Sequence, residues 1–501
     1  MYLTRLYPAP AVYEECAGCF SFGGELRIFL PEGTDSSVKD ASVFDAGVFD
    51  AGVFDANPFA AMLETFCCTA SRITSVSAPL PPFCAFVTAG EAPARLPLPD
   101  AQGFEYALAV TPSGAAIRAH SREGLLHAFA ALAQCIVPDC LDCGAERFHI
   151  GCVRIADRPA LPVRAIHFCL FPETDLSLLE RVIRMSGFFG LTHLVLEFWG
   201  TLRYDVCRAL AWEGRNHSKD ELRPYIDLAR SLGVEVVPML NSLGHAAMAR
   251  ERFGRHTILA QDPRLERYFE PDGWTWCVSN PDTRKLLSEM RAELSELCGE
   301  GAFFHLGCDE ARSFATCEHC RTQNPPELLA EYLNGIADEL ASSGRRGILW
   351  GDALLDSRAW PGLIATGGRT HEALDALDRR FLIADWQYGV QSGSVASTAY
   401  FMEKGFDVLL SPWDDYENLR ALSSYAQEAG AAGVLLTTWH HMPQYLRLLP
   451  DAASMLWEKA PYEHPYAITE AAALLRRVCR SSRFEDSGWN GFEVSGDEYT
   501  G

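Results

Sequence analysis

At 501 residues, with 48% hydrophobic and 22% charged content, the chain has the composition of a globular protein of two or three folded units. Its formal net charge of −23 argues against nucleic acid or anionic membrane as a partner, since both require basic surface, and suits an enzyme of neutral substrates. The opening MYLTRLYPAPAVYEECAGCF lacks the basic stretch, apolar centre and small-residue cleavage site of a secretory signal, and no apolar run approaches membrane-spanning length. A soluble, cytoplasmic protein is expected. The 17 cysteines, several of them inside apolar runs (Cys152, Cys169, Cys308), agree with a reducing compartment.

Residues 1–155 read as a small α+β domain. They carry a short repeat, DASVFDAGVFDAGVFDANPF, over 40–59, whose five-residue period fits neither strand nor helix and predicts an irregular insertion. FEYALAVTPSGAAIRAHS then reads as a β-hairpin with a Pro-Ser-Gly turn, and REGLLHAFAALAQCI as an amphipathic helix. The linker DRPALPVR leads out of this domain.

From Arg164 the pattern changes to alternation. Eight apolar, β-rich runs (RAIHFCLF, THLVLEFW, VEVVPML, AFFHLG, GILWGD, RFLIADW, FDVLLSP, GVLLTTW) are separated by stretches of helical spacing, several ending in Gly. Eight strand–helix units over roughly 300 residues predict a TIM barrel, a (β/α)8 fold, over 160–460. A doubly wound sheet would need no eighth unit and should show a Gly-rich phosphate loop after its first strand, which is absent. Residues 461–501 are expected to form a C-terminal helix and polar tail.

Barrel active sites form at the C-terminal ends of the strands. There the second run delivers Glu197, Phe198 and Trp199, and the third leads to Asn241 and His245. The fourth ends in His305-Leu306-Gly307-Cys308-Asp309-Glu310, and the last four deliver Trp350 with Asp352, Trp386 with Tyr388, Trp413 with Asp414, and Trp439 with His440. Tryptophan faces match the C–H faces of a sugar, and polar neighbours can take its hydroxyls. The plainer alternative is that these rings only cap the barrel.

Asp-Glu pairs recur at 220–221, 338–339 and 497–498, but only Asp309-Glu310 directly follows an apolar strand. Desolvation there is expected to raise the pKa of at least one of the two and suit it to general-acid work. Ordinary retaining glycosidases set nucleophile and acid on opposite sides of the glycosidic bond, which sequence neighbours cannot easily straddle. Adjacent carboxylates fit a substrate-assisted route, in which the sugar's own 2-acetamido oxygen attacks the anomeric carbon. One carboxylate then orients the acetamido group while the other protonates the leaving oxygen.

On these residues, His305 to Glu310 above all, the chain resembles glycoside hydrolase family 20, the β-N-acetylhexosaminidases, and its hexosaminidase D-like branch in particular. The resemblance runs through 160–460, and 60–155 is similar to the small domain that precedes the barrel in many members. It implies an exo-acting retaining β-N-acetylhexosaminidase, with Asp309 polarising the acetamido group and Glu310 as general acid/base. It further implies Arg164 gripping hydroxyls of the terminal sugar, His245 beside the catalytic glutamate, Trp350, Trp386 and Trp439 walling the acetamido pocket, and Tyr388 or Tyr416 bonding the acetamido carbonyl. His305, Trp413 and Asp414 complete the expected binding set. The chain departs from the family at His167-Phe168-Cys169-Leu170-Phe171-Pro172, where an Asp and an Arg are usual, and at His440-His441, where an acidic residue is usual.

Cys317-Glu-His-Cys320 and Cys140-Leu-Asp-Cys143 could together hold zinc, with His319 and Cys308 as further ligands, but their separation is wide for such a site, so unligated thiols, no metal and no cofactor are expected. Trp274 and Trp276 read as aglycone contacts or as loop packing. A glycan or glycoconjugate is the expected substrate, with homodimerisation left open. Two other readings stand beside this one. A decayed barrel that only binds sugar is suggested by the departures at the first and last runs. A metal-dependent barrel hydrolase is suggested by His245, His305 and His440.

Overall fold

The computed structural model describes residues 6–23, 26–31, 58–67, 74–77, 81–90, 96–138, 147–246, 262–360, 368–439, 448–457 and 478. The chain divides into two compact units, one of residues 1–158 with 187–189 and 461–501, the other of 159–186 with 190–460.

The first unit is built on an eight-stranded sheet. Its strands are β1 (Val12–Gly23), β2 (Arg27–Leu30), β3 (Thr74–Ser77), β4 (Cys84–Thr88), β5 (Tyr106–Thr111), β6 (Gly114–Ala119), β7 (Ile136–Pro138) and β8 (Arg147–Asp157), in the order β1-β8-β5-β6-β4-β2-β3 with β7 beside β8. The expected hairpin is β5–β6, closed between Thr111 and Gly114. A Cβ on Gly114 would lie 2.4 Å from the Val87 carbonyl oxygen, so the turn admits only glycine there. Helices α1 (Pro58–Cys67) and α2 (Arg122–Gln134) meet through Phe59 and Phe129, and Ser121 caps α2 by accepting the Gly124 N–H. Of the repeat, only Pro58 and Phe59 belong to the described residues, where they open α1; its remainder, the Cys140–Cys143 pair and most of 461–501 lie outside them.

The second unit is a closed barrel of eight parallel strands: β9 (Val163–Leu170), β10 (His193–Phe198), β11 (Glu235–Met239), β12 (Phe303–His305), β13 (Arg346–Trp350), β14 (Leu382–Asp385), β15 (Asp407–Leu410) and β16 (Gly433–Leu436), which returns to β9. Each matches one of the eight apolar runs. The interior is filled by Ala165, Val195, Val237, Met239, Ile348, Leu382, Leu409 and Leu435, alternate residues whose neighbours face the helices. Outside run α3 (Leu176–Phe188), α4 (Lys219–Ser231), α5 (Pro281–Cys298), α6 (Pro325–Ser342), α7 (Ala396–Glu403), α8 (Tyr416–Ala429) and α9 (Leu449–Trp457). Local chemistry starts them where it should: Ser218 and Glu221 form a reciprocal capping box on α4, and Asn280-Pro281 opens α5. Between β13 and β14 the described crossover holds 3₁₀ turns, Asp352–Leu354 and Thr370–Ala376, where the alternation predicts a helix. Among the described residues no helix is long and apolar enough to cross a membrane.

Candidate active site

β12 is only three residues long, so the chain leaves the barrel at once into a strained turn. Gly307, Cys308 and Glu310 have φ of 64°, 78° and 48°, a left-handed region that non-glycine residues enter at a cost. The turn is clamped from several sides. Asp352, just past β13, accepts the Glu310 N–H at 2.9 Å, and Trp274 donates its indole N–H to the Glu310 carbonyl at 2.8 Å. Gly244 approaches so closely that a Cβ there would fall 1.9 Å from the Asp309 carbonyl oxygen. This contact makes a glycine before His245 obligatory.

His245, itself at φ 51°, sets Nε2 3.2 Å from Asp309 Oδ2 and 3.4 Å from Glu310 Oε2, so one imidazole serves both carboxylates. Burial alone would favour its neutral form, but the two carboxylates prevail and push it up to about 10. Asp309 is buried, and its second oxygen, Oδ1, has no hydrogen-bond partner among the described residues. Glu310 is more open and also takes a hydrogen bond from Arg312 at 3.1 Å. Burial works to raise the Glu310 carboxyl, yet His245 and Arg312 together hold it below its ordinary value. Asp352 is pushed up to about 7 by its own burial and by the neighbouring charge of Asp309. The reason is geometric: His245 and Arg312 face Glu310, whereas the charges of Asp309 and Glu310 both act to raise Asp352.

The aromatic residues form one connected wall. Trp350 and Trp439 lie 5.5 Å apart, Trp439 donates its indole N–H to the Tyr388 hydroxyl at 2.9 Å, and Tyr388 packs at 5.2 Å on both Trp386 and Trp413. Trp386 also reaches Asp352 with its N–H at 3.4 Å. Burial, and further the charges of Asp309 and Asp352, raise the Tyr388 phenol, which marks its side chain as a neighbour of the carboxylates. Tyr416, by contrast, is the first residue of α8, and the exposed Asp415 before it caps that helix. Asp414 is half-buried between Trp413 and that cap.

Three expectations change here. Arg164 does not reach the site: it lies at the opening end of β9, fully buried, donating to the carbonyls of Gly190 (2.7 Å) and Leu161 (2.8 Å) and stacked 5.0 Å from the Trp457 ring. The sequence already has it opening the first run, and a strand of eight residues separates that end from the barrel mouth by roughly 25 Å. His305 is also fully buried, accepting the Gly307 N–H on Nδ1 and lying 4.4 Å from Trp350; burial, then His167, push it down to about 3. It supports the pocket from beneath. Trp350 likewise belongs to the floor, with no exposed surface, while Trp386 and Trp439 remain partly exposed. His440 lies outside the described residues.

Beyond the expected set, the structure brings together His167, Cys169, Glu197 and Asn241. Glu197 accepts from His167 Nε2 at 3.0 Å, from the Cys169 thiol at 3.2 Å and from Asn241 at 2.5 Å. Burial opposes its charge, but His167 and Cys169 outweigh it and hold Glu197 at about 2. The only sequence signal of these residues is polarity at strand ends, which also marked Asp352; Arg312 gave none.

Residues 200–460, more than half the chain, match the family model described as "Glycosyl hydrolase family 20, catalytic domain". The chain is 22% identical over 288 residues to hexosaminidase D of Bos taurus, a match covering 55% of this chain and 75% of that protein. It is 19% identical over 163 residues to a lacto-N-biosidase of Bifidobacterium bifidum, covering 30% of this chain and only 14% of the relative. Among solved structures, the β-N-acetylhexosaminidase of Bacteroides fragilis superposes with a TM-score of 0.67 at 16% identity, over 97% of this chain and 96% of that one. The N-acetyl-β-hexosaminidase of Streptomyces plicatus does so at 0.65 and 17%, over 96% and 98%. At such identities these likenesses establish the fold.

Proposed function

The chain belongs to glycosyl hydrolase family 20, and from that premise we propose that it is an exo-acting, retaining β-N-acetylhexosaminidase working by substrate assistance. The observation that carries the reading is the buried Asp309 Oδ1, without a hydrogen-bond partner among the described residues. A buried carboxylate oxygen without a donor is costly, and an acetamido N–H is a donor of the right kind. In this reading Asp309 accepts that N–H and aligns the acetamido carbonyl oxygen for attack on the anomeric carbon, giving an oxazolinium-type intermediate. Trp386 and Trp439 enclose the methyl group, and Tyr388 donates its hydroxyl to the acetamido oxygen. Glu310 protonates the leaving oxygen and then takes a proton from the water that opens the ring, with His245 holding both carboxylates in place. The half-buried Trp413 and Asp414 form the sugar rim.

A panel of aryl β-glycosides with and without the 2-acetamido group tests the route; equal rates on both would refute it. Glu310→Gln should cost at least about 10²–10⁴-fold in kcat with the fold intact, more for poor leaving groups than for good ones. Unchanged turnover in that variant would remove Glu310 from the role. Binding of N-acetylhexosamine without turnover of any aryl glycoside would favour the sugar-binding alternative.

A further inference from the structure

Away from the carboxylates, four side chains from two separate loops converge. Cys277 ends the segment that follows β11, and Cys317 and Cys320 form the C-x-x-C step in the loop that carries Glu310. Cys277 Sγ lies 3.4 Å from Cys317 Sγ and 3.6 Å from Cys320 Sγ, and with a carboxylate oxygen of Glu270 the donor atoms all fall within 4.8 Å of one another. A tetrahedral zinc with bonds of about 2.3 Å to sulfur separates its thiolates by about 3.8 Å, close to this spacing. The same sulfurs are too far apart for a disulfide bond, which needs about 2.05 Å.

The surroundings are those of a ligand cluster. Glu270 is buried, and its Oε2 accepts the backbone N–H of Cys317 at 2.6 Å and of Thr316 at 3.1 Å, which fixes the carboxylate and orients the C-x-x-C turn. Its Oε1 accepts no N–H or O–H proton among the described residues, and the carboxylate lies within reach of the thiols. The Cys320 N–H points at Cys317 Sγ at 3.3 Å, the hydrogen bond that steadies a metal-bound thiolate. Glu270 and Cys277 are brought level by the pairing of Phe269 with Trp276 and by the Glu270 N–H donated to the Thr275 carbonyl. Sequence reasoning sought the partner of Cys317 and Cys320 in Cys140 and Cys143, with His319 and Cys308 in reserve. Instead folding supplies Cys277 and Glu270, while Cys308 turns its thiol to the Leu306 carbonyl.

We propose that Cys277, Cys317, Cys320 and Glu270 Oε1 bind one structural zinc ion. Binding converts three thiols to thiolates with release of three protons to solvent, and the Glu270 carboxylate supplies the fourth bond. All four coordination positions come from the protein, so the ion has no open position for water or substrate and is structural. It ties the loop bearing Glu310 to the segment bearing Trp274 and Trp276, whose indoles hold the Glu310 and Asn241 carbonyls. This inference stands independently of the reaction proposed above.

The test uses the full chain, purified without chelators from zinc-supplemented medium. Elemental mass spectrometry should find about one zinc per chain, and X-ray absorption at the zinc edge should show three sulfurs at about 2.3 Å and one oxygen at about 2.0 Å. Cys317→Ser/Cys320→Ser should lose the metal. Should that variant fail to fold, Glu270→Gln keeps all three thiols and should release zinc to a chromogenic chelator at least about tenfold faster than the unsubstituted protein. A stoichiometry below about 0.1 zinc per chain, iron in its place, or a disulfide at Cys277 in non-reducing peptide mapping would each overturn the proposal.

Discussion

Asp352 offers the sharpest test of how the site's electrostatics are built. Its carboxyl is buried, takes the Glu310 N–H and the Trp386 N–H, and is displaced from 3.8 to about 7 by burial and by Asp309. A carboxyl raised on folding makes the native chain hold its proton more tightly than the unfolded chain. Stability is therefore greatest below the unfolded value and is lost as pH rises through about 7. The full displacement is worth about 4 kcal/mol, more than half of which is lost between pH 5 and pH 8. Asp352→Asn removes the ionisation while its amide oxygen can still accept the Glu310 N–H. The stability of the variant relative to the unsubstituted protein should thus rise by about 3 kcal/mol from pH 5 to pH 8. Urea unfolding of both proteins at each pH measures this, and the subtraction cancels the titrating groups remote from Asp352. A difference that stays constant across the range would refute the account of Asp352.

Three further outcomes follow from the geometry. Arg312→Gln removes a cation that holds Glu310 down, so the alkaline limb of kcat/KM, where the acid loses its proton, should move to higher pH; an unmoved limb would dismiss Arg312 from that role. Gly244→Ala forces the Asp309-Glu310 turn aside and should lower kcat/KM on an aryl N-acetylglucosaminide by about 10²-fold, read against the circular dichroism of the folded protein. Arg164→Met should destabilise by about 3 kcal/mol in urea unfolding, from the loss of its charged hydrogen bonds to Gly190 and Leu161, and leave KM unaltered; a raised KM would return Arg164 to the sugar.

The carboxylate pair and the late tryptophans were legible because they sit at fixed positions relative to an apolar strand, and strand ends in a barrel share one rim. Eight runs of apolar residues determined eight parallel strands for the same reason: period and length are local properties, readable without neighbours. Which end of a strand a residue occupies is also local, and Arg164 shows the cost of reading a motif without it. What only the tertiary structure decided is pairing between distant segments and the charge balance that results. His245 lies 64 residues before Asp309, Asp352 43 after it, and Cys277 40 before Cys317. Their approach depends on loops that cross the barrel mouth, such as Gly244 against the Asp309 carbonyl, and on burial, which no single segment contains. Sequence determined which side chains stand at the barrel mouth; three-dimensional packing decided which carboxyl holds a proton and which thiols meet, because both depend on separations of a few ångströms between residues far apart in the chain.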